Sequence, residues 1–250
     1  MTSLNPLVSI VMPAYNSSAT IQESINSVRE QTFSQWELIV VDDCSNDDTI
    51  NIVTEISDQD ERIKLIKLRK NSGAGTARNR AIEESKGRYI AFLDSDDLWR
   101  PEKLEKQIGF MHQSGTPFTY TRYEVLNSHG NRKELFPPHQ ATYQSILRTN
   151  YIGCLTAVYD TVYFGKVFMP TLRKRQDMAL WLSLLKKSDR ALLVDECLAT
   201  YRVDTGMTQN KFKAAQAQYY LYRQHLKIPF LKSCFYMTTY TINGILKHRK

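Results

Sequence analysis

The sequence predicts an α/β protein built on a doubly wound, mainly parallel sheet with helices on both faces. Three observations carry that expectation. Short apolar, β-branched runs alternate with stretches of helical spacing through the first hundred residues. The runs at 38–41 and 89–93 are apolar throughout, as buried strands are. Acids follow directly: Asp42-Asp43 after the second strand, and Asp94-Ser95-Asp96-Asp97 after the fourth. In open sheets of this kind, ligands bind beyond the carboxyl ends of the strands.

Taken in order, residues 8–12 form the first strand, closed by Pro13. Residues 19–30 place Ile21, Ile25 and Val28 on one helical face. The second strand, 38–41, is followed by Ser45-Asn46-Asp47-Asp48, which caps a helix running to about Ile56. A third strand at 63–68, a third helix at 74–85 and a fourth strand at 89–93 complete the regular part. Asp97 is expected to begin the next helix, with Pro101 in its first turn. Beyond it, 118–126 and 134–136 flank a hairpin turn at 127–131. Residues 142–147 read as a short helix and 176–187 as an amphipathic one.

Composition fits one globular unit of 250 residues, with 42% hydrophobic and 24% charged residues. No apolar run reaches eighteen residues and no secretion signal is recognisable, so a spanning helix and export are not expected. Cys44, Cys154, Cys197 and Cys234 are scattered without metal or disulfide spacing, as reduced thiols of a cytoplasmic protein are. The five histidines likewise lack metal spacing. The net charge of +7 is local. After Asp204 there is no acid but eight Lys and Arg, so the first 204 residues net about −1. A division at 1–207 and 208–250 follows. The basic, aromatic tail suits an anionic membrane surface or, alternatively, packing on protein. Nucleic acid is not the expected partner.

Two carboxylates at a strand edge can share a hard divalent cation, and that cation can hold a diphosphate. Asp94 and Asp96 have this spacing, although acids ahead of a helix also serve as caps. Gly73 and Gly75 open the third helix and allow close backbone approach, while Arg78 offers a planar fork to a phosphate.

Together these segments resemble the family 2 glycosyltransferases of the GT-A fold, whose sheet is Rossmann-like. The segments are VSIVMPAYN (8–16), QTFSQWELIVVDDCSNDDT (31–49), KNSGAGTARNRAIEESKG (70–87), YIAFLDSDDLWRPEKL (89–104) and RQDMALWLSLL (175–185). They occur in the family's order and span roughly residues 7–203. The middle segments, with IGCLTAVYD (152–160) and the RQDMALWL form, look most like bacterial enzymes of teichuronic acid and capsular polysaccharide synthesis.

The resemblance implies transfer of a sugar from a UDP-sugar to a hydroxyl, with inversion and with manganese or magnesium. The acceptor it implies is a growing polysaccharide or its lipid-linked precursor, used at the inner face of the plasma membrane. It places Pro13, Ala14 and Tyr15 beside the base and ribose, where a plain strand-to-helix turn is the alternative. Asp43 would accept from the uracil imide N–H, a group cytosine lacks. Asp42 would support it or merely cap. Asn71 and Arg78 fall beside the nucleotide, Asp94 and Ser95 near the ribose, and Asp96 on the cation. Asp177 matches the family's general base, and a helix-start role is compatible with that. Trp181 is expected to pack, and Arg80 and Lys70 to be solvated. One departure is clear: Tyr201-Arg202-Val203-Asp204 carries Asp204 where a histidine is common. Two other classes compete, a sugar-phosphate nucleotidyltransferase and a non-enzymatic membrane- or nucleic-acid-binding module. The first lacks its Gly-rich loop after the first strand; the second leaves the five motifs unexplained.

Overall fold

The computed structural model describes residues 7–203 and 211–249. Strands β1 (Val8–Ala14), β2 (Trp36–Asp42), β3 (Ile63–Lys67) and β4 (Tyr89–Phe92) run parallel in the order β3-β2-β1-β4. The crossovers are α1 (Ile21–Arg29), α2 (Thr49–Gln59) and α3 (Ala74–Glu84). Strand period sends Val11, Ile39 and Val41 to one side, against Ala77, Ala81 and Ile82 of α3. It sends Ile10, Met12 and Val40 to the other, against Ile21, Ile25 and Val28 of α1 and Val53 of α2. The sheet therefore buries both faces, which is why its strands are apolar throughout.

Pro13 does not close β1; the strand continues to Ala14, with Pro13 opposite Val41. The missing N–H is tolerated because pairing with β4 ends at Val11 and Phe92. Asp97 does not begin a helix either. A two-residue strand, β5 (Leu98–Trp99), follows it, and α4 (Lys103–Ser114) starts only after Pro101 and Glu102.

The second half makes the sheet mixed. β6 (Phe118–Asn127) and β7 (Arg132–Leu135) form the expected hairpin, with Gly130 at φ 78° in its turn. β8 (Gln140–Ala141) leads to α5 (Tyr143–Arg148), where Thr142 and Ser145 make a reciprocal cap. β9 (Val158–Asp160) inserts antiparallel between β4 and β6 and is followed by α6 (Thr161–Phe164). After α7 (Gln176–Leu185), β10 (Ala191–Val203) lies parallel to β6 and antiparallel to β5 and β8. Two register shifts in the β10–β6 pairing, around Cys197, precede Tyr201. Such bulges bend and re-aim a strand end. Trp181 of α7 packs as expected, fully buried between Phe92 and Phe118 with ring centroids 5.5 and 5.4 Å away.

The tail forms α8 (Lys211–Tyr220), a π-helical turn (Leu221–His225) and α9 (Phe230–Arg249). Leu221, Tyr222 and Ile228 join the core, and the Tyr222 hydroxyl donates to the Leu147 carbonyl. From α9, Tyr236 donates to Gln144 at 2.7 Å and Asn243 to the Arg148 carbonyl at 3.3 Å, both on α5. The outward side leaves Leu231 80%, Phe235 54% and Ile242 51% exposed. No described helix is long and apolar enough to cross a membrane. The four cysteines are free; Cys44, Cys154 and Cys197 are half-buried, and Cys234 is exposed.

Candidate active site

The carboxyl ends of β1, β2 and β4 converge, as the alternation of strands and helices requires. At the β2 end both aspartates are saturated. Asp42 accepts from the Cys44 and Ser45 backbone N–H groups at 3.1 and 3.0 Å and from the Ser45 hydroxyl. It thereby holds the turn in which Cys44 takes φ 68°. Asp43 accepts from the N–H of Ser72 at 2.7 Å and of Gly73 at 2.6 Å, and the Asn71 amide donates to its backbone carbonyl. Gly73 has φ 88°, a conformation costly for a residue with Cβ, and it turns the chain into α3.

Next to them, Pro13 and Ala14 are buried while Tyr15 is 48% exposed. Asn16 ties this loop to the next one, receiving a bond from the Asn46 N–H at 2.8 Å and donating its own N–H to Ser45. Ser95 is 2.8 Å from the Ser17 hydroxyl, and its carbonyl accepts from Thr20. The Ser95 side chain thus joins two loops.

The β4 end is different. The Arg78 guanidinium reaches Asp94 at 2.5 Å, yet its Nε is buried without a partner. Burial alone would lower that guanidinium's pKa; the Asp94 charge and hydrogen bond, with Cys154 and Asp177, together outweigh it and raise it. Asp97 is 1% exposed; one oxygen accepts from the Arg202 N–H at 3.0 Å and the other, Oδ2, has no partner. Burial, and then the Asp94 and Asp96 charges, hold its carboxyl well above the usual carboxylate range.

Arg78, Asp94 and Asp97 line a cavity of about 450 Å³ together with Asp177, in the first turn of α7. The Asn150 amide donates to Asp177 at 3.2 Å. Tyr201 lies at the same cavity, its hydroxyl pushed up to about 12 by burial and by Asp97, Asp96, Asp94 and Asp177. Arg173, Lys174 and Arg175 form another part of the wall, and Ala214 of α8 also borders it.

The sequence-derived residues therefore divide. Asp94, Arg78 and Asp177 come together, with Asp96 close enough to act on Asp97 and Tyr201. Pro13, Ala14, Tyr15, Asp43, Asn71 and Ser95 line a neighbouring set of loops and not this cavity. Asp97, Tyr201, Asn150 and the 173–175 basic run are additions. Asp97 was visible as the third acid of its run, and 173–175 as a basic triplet separated from Asp177 by Gln176 alone; Asn150, from a distant loop, left no signal. Arg80 pairs with Glu83 and Glu84 on the surface, as a solvated residue does. Asp204 lies outside the described residues.

The donor set fits a hard divalent cation. The carboxylates are crowded, and the buried Asp97 oxygen lacks a partner. Among the described residues no three His, Cys, Asp or Glu side chains surround one point. A hard divalent cation held by one or two carboxylates completes its shell with phosphate oxygens and water.

The model of glycosyl transferase family 2 matches residues 9–165. The chain belongs to that family. It is 42% identical over 250 residues, 99% of both chains, to TuaG of Bacillus subtilis, a teichuronic acid biosynthesis glycosyltransferase by its name. It is 40% identical, over 97% of this chain and 95% of the other, to the Escherichia coli protein WfgD. That protein is named a UDP-Glc:alpha-D-GlcNAc-diphosphoundecaprenol beta-1,3-glucosyltransferase.

S. aureus TarS, solved with UDP-GlcNAc, superposes with TM-score 0.71 at 23% identity, over 87% of this chain and 66% of that one. The Pyrobaculum calidifontis mannosyltransferase PcManGT, solved with GDP-Man and Mn2+, gives 0.67 at 16%, over 90% and 66%. These two likenesses are of fold. The protein is a GT-A glycosyltransferase, and neither the nucleotidyltransferase nor the non-enzymatic reading finds support.

Proposed function

We propose that this glycosyltransferase moves a sugar from a UDP-sugar to a hydroxyl of a lipid-linked precursor of a cell-wall or capsular polysaccharide, with inversion. The observation that carries the reading is that Asp177 and the Asp94 and Asp97 carboxylates, far apart in sequence, line one cavity. The names of TuaG and WfgD support the acceptor class, and the UDP-GlcNAc complex of TarS supports the donor class.

Asp177 takes the proton of the acceptor hydroxyl while that oxygen attacks the anomeric carbon. The bond to UDP breaks with its electron pair on the diphosphate, and attack from the opposite side inverts the centre. Asn150 orients the Asp177 carboxylate for this step. Arg78 fixes Asp94 and adds positive charge beside the departing diphosphate. Asp43, with the backbone of residues 13–15, 71 and 95, shapes the uridine side. Asp96, with Asp94, would hold manganese or magnesium, which supplies charge neutralisation to the leaving group when bound.

Residues 208–250 are read as the membrane-facing part, the exposed Leu231, Phe235 and Ile242 entering the headgroup region of an anionic inner leaflet. Replacing all three with Ser should abolish flotation with anionic liposomes. Unchanged flotation would remove α9 as the contact. UDP release, measured over a panel of UDP-sugars with and without manganese, tests the transfer itself. No metal-dependent release with any of them, in the presence of lipid-linked acceptor, would overturn the donor assignment.

A further inference from the structure

We propose that Arg173 and Lys174 form a phosphate subsite that recognises the acceptor through the diphosphate linking its sugar to lipid. This deepens the acceptor reading above and rests on it.

Both side chains are exposed, both line the cavity that holds Asp177, and no described carboxylate lies within salt-bridge distance of either. Two exposed cations without counter-charge at a cavity wall are a standing attraction for an anion. Their position narrows which anion. They precede Asp177 by four and three residues, in the loop that opens α7 and lines the Asp177 cavity; the same two residues also border the cavity beside Asn71 and Gly73, so the UDP arm of the test decides between acceptor and donor. The donor diphosphate, by contrast, belongs to the Asp94–Asp96 side, where Arg78 already provides a cation.

The neighbourhood continues toward lipid. Arg175 places its guanidinium 5.3 Å from the Tyr240 ring of α9, and Ala214 of α8 borders the same cavity. The outward face of α9 carries the exposed Leu231, Phe235 and Ile242. A ligand with a sugar at Asp177, phosphates at Arg173 and Lys174 and a hydrocarbon leading past α9 matches that sequence of surfaces. A neutral oligosaccharide leaves the two cations without a partner.

The test uses the full chain saturated with UDP and manganese, and farnesyl diphosphate as the probe. Calorimetry should show its affinity falling about a hundredfold in Arg173→Glu/Lys174→Glu and about tenfold in the milder Arg173→Gln/Lys174→Gln, since charged contacts are lost. UDP affinity is measured on the same variants, and an unchanged circular dichroism spectrum and melting temperature report that they fold. In transfer assays, KM should rise for a diphosphate-linked acceptor and stay constant for the phosphate-free alkyl glycoside of the same sugar.

Farnesyl diphosphate affinity unchanged in both variants would overturn the proposal. So would UDP affinity falling in step, which would assign the two cations to the donor. No farnesyl diphosphate binding by the unmodified protein would also overturn it, leaving glycosyl transfer intact. Failure of the transfer reading shows separately, as no turnover of any UDP-sugar, while the binding measurement is decided either way.

Discussion

The aspartates at the end of β2 and those at the end of β4 occupy equivalent places on the two parallel strands that flank β1, but they live in opposite conditions. Asp42 and Asp43 have their carboxylates filled by backbone N–H groups and a hydroxyl. Asp97 is equally buried, has an oxygen with no partner and is pushed toward its neutral form by burial and then by Asp94 and Asp96. A satisfied buried carboxylate fixes a loop. A crowded, unsatisfied one stores an electrostatic cost that a bound cation relieves. The comparison separates scaffold from chemistry within a single sheet edge.

The largest effect is expected where crowding is answered by metal. Asp96→Ala should abolish metal-dependent UDP binding, because the cation loses a carboxylate and the diphosphate its bridge. Titrating manganese into the UDP-bound variant by calorimetry checks this. An unchanged titration would move the principal ligand to Asp94, Asp97 or a residue such as Asp204.

Asp177→Asn should lower turnover on the order of a hundredfold or more with UDP affinity retained, since the amide cannot take the proton. Steady-state transfer rates beside UDP calorimetry measure both sides, and near-normal turnover would sink the base assignment.

The satisfied side of the comparison predicts a loss of stability. Asp43→Ala removes the acceptor of two backbone N–H groups and should cost about 2 kcal/mol. The denaturation midpoint reads it, together with a weakened affinity for uridine measured without metal. Full stability combined with weak uridine binding would make Asp43 a recognition residue alone.

The smallest effect is a control on burial. Lys103 is fully buried, donates to Gln107 at 2.6 Å and is lowered to about 7 by burial, outside the cavity. Between about pH 7 and its unfolded value the unfolded chain binds the extra proton, so this group makes stability rise with pH across that window. Below pH 7 both states are protonated and the cost of the buried charge is fully present. Lys103→Met should remove the rise and add about 1 kcal/mol at pH 6, a gain limited because Gln107 loses its donor. Transfer activity should be unaffected. A stability profile with the same slope in the variant would show that Lys103 is not the titrating group.

Much of the fold was legible before any coordinates. Alternating runs placed β1 to β4 and α1 to α3 to within a few residues, because burial on both faces of a parallel sheet demands continuous apolar strands. Pro13 and Asp97 were misplaced for one reason: whether a proline ends a strand, or an acid starts a helix, depends on the neighbouring strand. The early end of β4 pairing frees Pro13 from donating, and β5 claims the residues after Asp97.

The tail shows the same division. Its charge and aromatics are written in the sequence, but which side chains face the core was decided by the α5 surface that receives Tyr222, Tyr236 and Asn243. The sequence by itself determined the motifs, their order along the chain, and hence the family and the chemistry of the acids. Only the tertiary structure decided which of those acids are saturated and which face Asp177. Hydrogen-bond partners come from segments distant along the chain, and burial is a property of the packed molecule. Asp43 is closed by Ser72 and Gly73, Asp97 is half-closed by Arg202, and Asn150 reaches Asp177 from a loop no motif marks.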